Sequence, residues 1–357
     1  MTTTFTRFRA RIGTTSAWLA GLALLAGLAW AAAPATAPTP AGHATPAPLA
    51  AKNLLLAGAQ IKTATGTRLV VVGEHGHVLL SDNGGQVWRQ AKDVPTVTTL
   101  TAVHFLDDRQ GWAVGHGGIV LGTRDAGETW SLLAGKLDGK EVLLSVHFSS
   151  AQQGLVVGAF GYAARTADGG KTWQPQALAE GEDGERHLNL IFTGAEVAGQ
   201  RTLWVAAEGG LLFRSDDAGA RWQAVKLPYK GSIWGGTRLA DGALLVWGMG
   251  GHALRSDDEG KSFTEVPTGT DQSLGGGVQV SPSQVVMAGL GGAVVISQDG
   301  GRRFATTVRE DRASLTAVLP GPAGQVVLLG QAGALLQPLV AAVSAPASAS
   351  APASAPR

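Results

Sequence analysis

The stretch Ser81-Asp82-Asn83-Gly84-Gly85-Gln86-Val87-Trp88 decides the fold, because it recurs five more times, from Thr123, Thr166, Ser215, Ser256 and Ser297. Each copy reads Ser/Thr-x-Asp/Asn-x-Gly-x-x-Trp/Phe and follows an apolar pair, a glycine-rich turn and a short alternating run. Aligning the whole unit brings Val71-Val72-Gly73, Ala113-Val114-Gly115, Val156-Val157-Gly158, Val205-Ala206-Ala207, Val246-Trp247-Gly248 and Met287-Ala288-Gly289 into register. A seventh unit, Leu328-Leu329-Gly330, lacks the terminal box. Successive units start 42, 43, 49, 41, 41 and 41 residues apart. A period of about 40 to 45 residues with several short strands per unit is the signature of a propeller blade.

Each unit reads as four strands. In the second they are Leu100 to Phe105, Gly111 to Val114, Ile119 to Thr123 and Thr129 to Leu133, short runs rich in Val, Leu, Thr and Trp and broken by Gly and Asp. No helical periodicity runs between residues 51 and 340. The 51 glycines suit a chain that reverses direction every few residues. Seven inner strands are expected at Leu54 to Ala59, Leu100 to Phe105, Leu143 to Phe148, Leu188 to Phe192, Ser232 to Thr237, Gly277 to Val280 and Leu315 to Leu319. The expectation is an all-β, seven-bladed propeller of four-stranded antiparallel blades. Closure is open to two readings: residues 45–51 add an outer strand to blade seven, or Leu339 to Val343 does. The extra length between blades three and four falls in Thr193 to Arg201, read as a first-to-second-strand loop. Beside it lies an acidic connection with Glu180, Glu182, Asp183 and Glu185.

Within the box, Asn83, Asp125, Asp168, Asp217, Asp258 and Asp299 can accept backbone N–H bonds, and the leading hydroxyl can add another. The glycines at 85, 127, 170, 219, 260 and 301 supply a left-handed backbone position. Trp88, Trp130, Trp173, Trp222, Phe263 and Phe304 bury rings between neighbouring sheets. Six equivalent carboxyl or amide groups round a ring cannot converge on one substrate, so the box reads as structural and no catalytic residue is assigned to it.

These are Asp boxes, or bacterial neuraminidase repeats. The longer unit, Leu100-Thr101-Ala102-Val103-His104-Phe105 with Asp107 and Gly111-Trp112-Ala113-Val114-Gly115, resembles the photosystem II stability/assembly factor family. That resemblance covers about residues 53–339. It implies a non-enzymatic seven-bladed propeller that supports assembly or stability of a membrane-protein complex, with an arginine patch for client docking. In bacteria without photosynthesis, similar proteins look like partners of other systems, including resistance-nodulation-division exporters.

Residues 1–33 carry Arg7, Arg9 and Arg11 ahead of an apolar run from Ala17 to Ala33, with Ala31-Ala32-Ala33 before Pro34. This is a secretory signal layout, with an uncleaved membrane anchor as the alternative. Residues 34–52 read as a Pro/Ala/Thr-rich linker, 53–340 as the propeller and 341–357 as a disordered Ala/Pro/Ser tail. A periplasmic or other extracytoplasmic location follows. The chain has no cysteine, so disulfides, thiolate metal sites and a lipoprotein anchor are excluded. Without residues 1–33, 25 basic residues face 27 acidic ones, a balance that argues against nucleic acid as a partner.

Arg165, Arg214 and Arg255, each just before a box, are expected to form an arc facing a partner, or else each to pair with an acid of the next blade, such as Asp216 or Asp257. Tyr229 and Trp234, beside Lys226 and Lys230, are a candidate interface anchor at a blade connection. His104 and His147 occupy matching inner-strand positions and read as packed, hydrogen-bonded histidines. Trp112, Trp204 and Trp247 read as interblade packing. Glu74, His75, His77 and His116 are the one cluster with metal-ligand chemistry; they read as exposed polar turn residues, and no metal or cofactor is assigned. The enzyme alternative is a sialidase-like glycoside hydrolase, which would need tyrosine and paired carboxylates that Tyr162, Tyr229 and the acid-poor inner strands scarcely provide. No small-molecule substrate is expected, and a monomer is.

Overall fold

The computed structural model describes residues 42–64, 66–134, 137, 142–178, 186–197 and 199–339. Seven antiparallel sheets follow one another in sequence, each built by consecutive strands with no crossover. Their inner strands are Leu55–Thr63, Leu100–Phe105, Leu143–Phe148, Leu188–Val197, Ile233–Arg238, Leu274–Gln279 and Leu315–Pro320. Contacts run from each inner strand to the next and from the seventh back to the first, so the ring is closed. The chain is an all-β, seven-bladed propeller with six four-stranded blades.

Second strands are the driest elements. Gly111–Gly115, Leu244–Gly248 and Val285–Gly289 are buried at every position, because both faces abut a neighbouring blade. The core is accordingly divided into interblade layers. One joins Val70, Val72 and Leu80 of blade one to Ala113, Leu121 and Trp130 of blade two. Another stacks Trp112 flat on Phe148 of blade three, ring centroids 3.6 Å apart. Trp204 and Trp247 fill the corresponding layers beyond blades four and five.

Glycine-rich Leu274–Gln279 is a strand three residues earlier than the expected Gly277 to Val280. Packing is the reason: a Cβ on Gly276 would stand 2.5 Å from the Cα of Ala317, so only glycine lets the inner strands of blades six and seven approach. The Thr193 to Arg201 excess is likewise mostly strand, since Leu188–Val197 and Gln200–Ala207 continue pairing outward as a hairpin. Gly194 makes room there for the Trp204 indole, whose Nε1 would lie 2.6 Å from an added Cβ.

Of the two expected closures, the one by residues 45–51 is not formed, and the one by Leu339 to Val343 lies, except for Leu339, outside the described residues. Residues 45–51 form no strand; Ala44 and Ala47 instead bond Val94 and Gln90 beside blade one. Leu339 lies beyond the last strand, and residues 340–343 fall outside the described residues, as do residues 1–41, 341–357 and the acidic connection at 179–185. Blade seven therefore has three described strands, Leu315–Pro320, Gln325–Gly330 and Gly333–Pro338. The seam is held by an apolar layer of Leu55, Leu69, Val71 and Leu79 against Leu319, Val327 and Leu329, and by the Thr316 hydroxyl, which donates to the Leu55 carbonyl at 2.7 Å.

Candidate partner-binding funnel

The box turns set the rigid frame. In blade three the Thr166 hydroxyl donates to Asp168 Oδ1 at 2.8 Å and accepts the Gly170 amide at 2.9 Å. Asp168 also accepts the Thr172 amide and hydroxyl, at 2.9 and 2.6 Å. All six box glycines have φ between 82° and 96°. Burial works to raise the Asp168 pKa but is outweighed by those bonds, which hold it at about 2. Asp217, Asp258 and Asp299 are held at about 2 in the same way. The carboxylates are spent on their own turns. Of the box aromatics, Trp130 is fully buried; Trp88, Trp173, Trp222, Phe263 and Phe304 are half-buried, each against a two-blade layer.

On the same face as the box turns, the inner strands open into a cavity of about 1120 Å³ spanning blades two to six. His104 and His147 form part of its wall, ring centroids 4.7 Å apart, with His104 Nε2 3.1 Å from the Phe148 carbonyl oxygen. Desolvation lowers the pKa of both; His147, also facing His104, falls to about 3. Both rings are therefore neutral at pH 7; of the two expected hydrogen-bonded histidines, His104 has its bond, and His147 has none among the described residues. Arg165, Arg201 and Arg238 line the cavity with Glu196, Gln200 and Gln279. No side-chain hydrogen bond or ion pair holds any of the three arginines among the described residues. A second cavity of about 380 Å³, with Lys62, Asp107 and Asp108, shares His104, Phe105 and Leu106 with the first.

The three arginines expected to form an arc share a strand position, opposite Leu155, Trp204 and Leu245, but not a fate. Arg255 is 5 % exposed, gripped by Asp241 at 2.5 Å and Asp257 at 2.8 Å, and its Nη1 donates to the Gly300 carbonyl of blade six at 2.7 Å. Arg214 pairs with Asp216 at 3.0 Å, lies 5.4 Å over the Trp204 ring and donates to the Glu259 carbonyl of blade five. Arg68 makes the same reach from blade one, pairing with Asp82 and bonding the Ala126 carbonyl of blade two. Three arginines thus staple a blade to the next blade's box. The acids that hold Arg214 and Arg255 sit on their own blade, and Arg165 alone of the expected arc faces the cavity.

Tyr229 lies at the other end of the ring, its hydroxyl donating to the Met249 carbonyl at 2.9 Å and its ring stacked 4.1 Å from His252. Trp234 is not at a blade connection; it is the second residue of the inner strand Ile233–Arg238 and half-buried. Neither joins Arg165. His77 is buried, and desolvation and then His75 lower its pKa, while Glu74 accepts the Leu54 amide at 3.1 Å. Among the described residues no three His, Asp or Glu side chains converge to hold a metal ion. Arg201 and Arg238 were not singled out by sequence, since each lies outside the repeated box; their one signal is an arginine at a hairpin end in successive blades.

A family model described as Photosynthesis system II assembly factor YCF48 matches residues 123–232. No curated protein sequence matches. Among solved structures, "YCF48 bound to D1 peptide" superposes with TM-score 0.64 at 22% identity, covering 86% of this chain and 99% of that one. YCF48 from Cyanidioschyzon merolae gives TM-score 0.61 at 18% identity, covering 83% and 98%. A streptogramin B lyase gives TM-score 0.66 at 14% identity, covering 80% and 95%, a likeness of fold alone. The chain is a seven-bladed propeller, and its residues 123–232, from the box and fourth strand of blade two through blades three and four, match the model of the photosystem II assembly factor YCF48 family.

Proposed function

We propose that this protein is a non-enzymatic assembly or accessory factor that holds an acidic, extended segment of a membrane-protein subunit in the funnel of blades two to six. One observation carries the reading. Arg165, Arg201 and Arg238 stand in one cavity with no side-chain partner among the described residues, while Arg68, Arg214 and Arg255 are consumed by interblade bonds. Guanidinium groups with open forks are suited to carboxylates. A structural relative is solved with a D1 peptide, which supports a peptide as the ligand class. The client is a photosystem-type complex or an exporter, met on the extracytoplasmic side to which residues 1–33, as a signal, would deliver the chain.

Glu196 is the one carboxylate in the cavity wall, whereas glycoside hydrolysis uses a pair flanking the bond. This supports binding without chemistry. The test is fluorescence anisotropy of a labelled Asp/Glu-rich peptide with the full chain and with an Arg165→Gln/Arg201→Gln/Arg238→Gln variant. Affinity should fall by about tenfold or more, roughly 1.4 kcal/mol, and weaken with salt in the parent chain only. Equal binding by parent and variant, or turnover of a fluorogenic glycoside, would overturn the proposal.

A further inference from the structure

At the end of the ring opposite the funnel, the second-to-third-strand turns and the blade connections share one face. Their contact is direct: a Cβ on Gly76, Gly251 or Gly333 would stand about 2 Å from the carbonyl oxygen of Thr96, Thr270 or Ala51 respectively. Among the described residues eight large apolar side chains are exposed, and five of them, Leu49, Val97, Phe160, Met249 and Leu290, belong to these turns and connections.

Phe160 is the informative one. The matching turn position is Gly117, Gly209, Gly250 and Gly291 in blades two, four, five and six, with φ between 60° and 74°, and in blade one it is the polar His75, with φ 56°. Phe160 adopts φ 54° there, a left-handed backbone that a bulky side chain takes only under strain, and is still 66% exposed. Its ring is braced edge-on by His187, centroids 5.2 Å apart. Burial does not compensate that strain, so the ring is held outward for a contact beyond the chain.

We infer that this face docks on a lipid bilayer, with Phe160, Met249 and Leu290 entering the headgroup and upper acyl region. The tips are single side chains spread round a ring, and neither cavity described above is lined by any of the five. A protein knob needs a groove, whereas a planar apolar medium takes separated tips standing on one face. Tyr229, aromatic body against His252 and hydroxyl bonded to Met249, has the amphipathic character of an interfacial residue, with Lys230 exposed beside it. The chain also arrives on this side: Gly42 packs beside Val97, 3.5 Å from where its Cβ would be. By sequence, the apolar run ending at Ala33 is nine residues upstream of Gly42, a span of at most about 32 Å.

The absence of cysteine makes the test direct. Phe160→Cys, Met249→Cys, Leu290→Cys and, on the opposite face, Val87→Cys are each made in the full chain and given a nitroxide label. Each is mixed with phosphatidylethanolamine/phosphatidylglycerol vesicles. Labels at 160, 249 and 290 should gain access to oxygen and lose access to a water-soluble nickel complex by at least about twofold, with the label at 87 unchanged. The inference is overturned if the three labels stay as water-accessible as before, if all four change alike, or if they respond only when membrane protein is added to the vesicles. This outcome is independent of peptide binding in the funnel.

Discussion

At Asp168 one carboxylate serves four donors: the hydroxyls of Thr166 and Thr172 and the amides of Lys171 and Thr172. Replacing Asp168 with alanine should cost about 1–2 kcal/mol, read as a drop in the denaturant midpoint. Asp168→Asn should cost clearly less, because Asn83 does the same work in blade one, accepting the Ser81 hydroxyl and the Val87 amide at 2.9 Å each. Equal losses for both variants would sink this account. With its folded pKa at about 2, below the unfolded 3.8, Asp168 adds stability above about pH 4 that is lost as pH falls toward 2. The backbone bonds to the carboxylate were legible in the sequence because each closes within four residues. The fate of the preceding arginine was not. Whether Arg255 is a docking group or a staple depends on Gly300, a whole blade away, and on Asp241 from an inner hairpin.

Between elements, the arginine staples and the histidine pair add polar contacts to the apolar layers that join the blades. Arg255→Ala leaves Asp241 and Asp257 without their buried cation and Gly300 without its donor. About 3 kcal/mol should be lost, against little change for Arg165→Ala, which has no such bonds. Comparable thermal unfolding of the two variants would refute the distinction. The His104–His147 contact joins blades two and three. A histidine kept neutral in the fold binds fewer protons than its unfolded counterpart below about pH 6.5. Stability contributed by His147 therefore declines from about pH 6.5 down to about pH 3. His147→Phe should shrink the difference in melting temperature between pH 7.5 and pH 4.5; an unchanged difference would show that the pair does not titrate as described. Strand boundaries between elements were half legible. Leu100–Phe105 and Leu143–Phe148 stand where alternation puts them. Leu274–Gln279 did not, because three successive glycines mark a close backbone approach that only the neighbouring blade reveals.

For the whole molecule, the repeat period alone gave the number of blades, but no period tells how the last unit meets the first. The seam uses the device of the other interfaces. The Thr316 hydroxyl bonds the Leu55 carbonyl as the Thr101 hydroxyl bonds Leu143 and the Asn189 amide bonds Ile233. Thr316→Val should cost about 1 kcal/mol and speed amide exchange selectively in Leu55–Thr63 and Leu315–Pro320; uniform exchange round the ring would argue against a distinct seam. The funnel was legible in part for a related reason: Arg165 repeats with the box, whereas Arg201 and Arg238 owe their place to hairpin ends that fall together only when the ring closes.

The order of strands across the seam has a mechanical side. Among the described residues the first strand, Leu55–Thr63, is the innermost of its sheet, while the last, Gly333–Pro338, lies farther out. Tension applied through the N-terminal side therefore loads the axle of the wheel, where neighbouring sheets grip the strand from both sides, and not a loose outer ply. A propeller pulled from that end would resist shear before it peels.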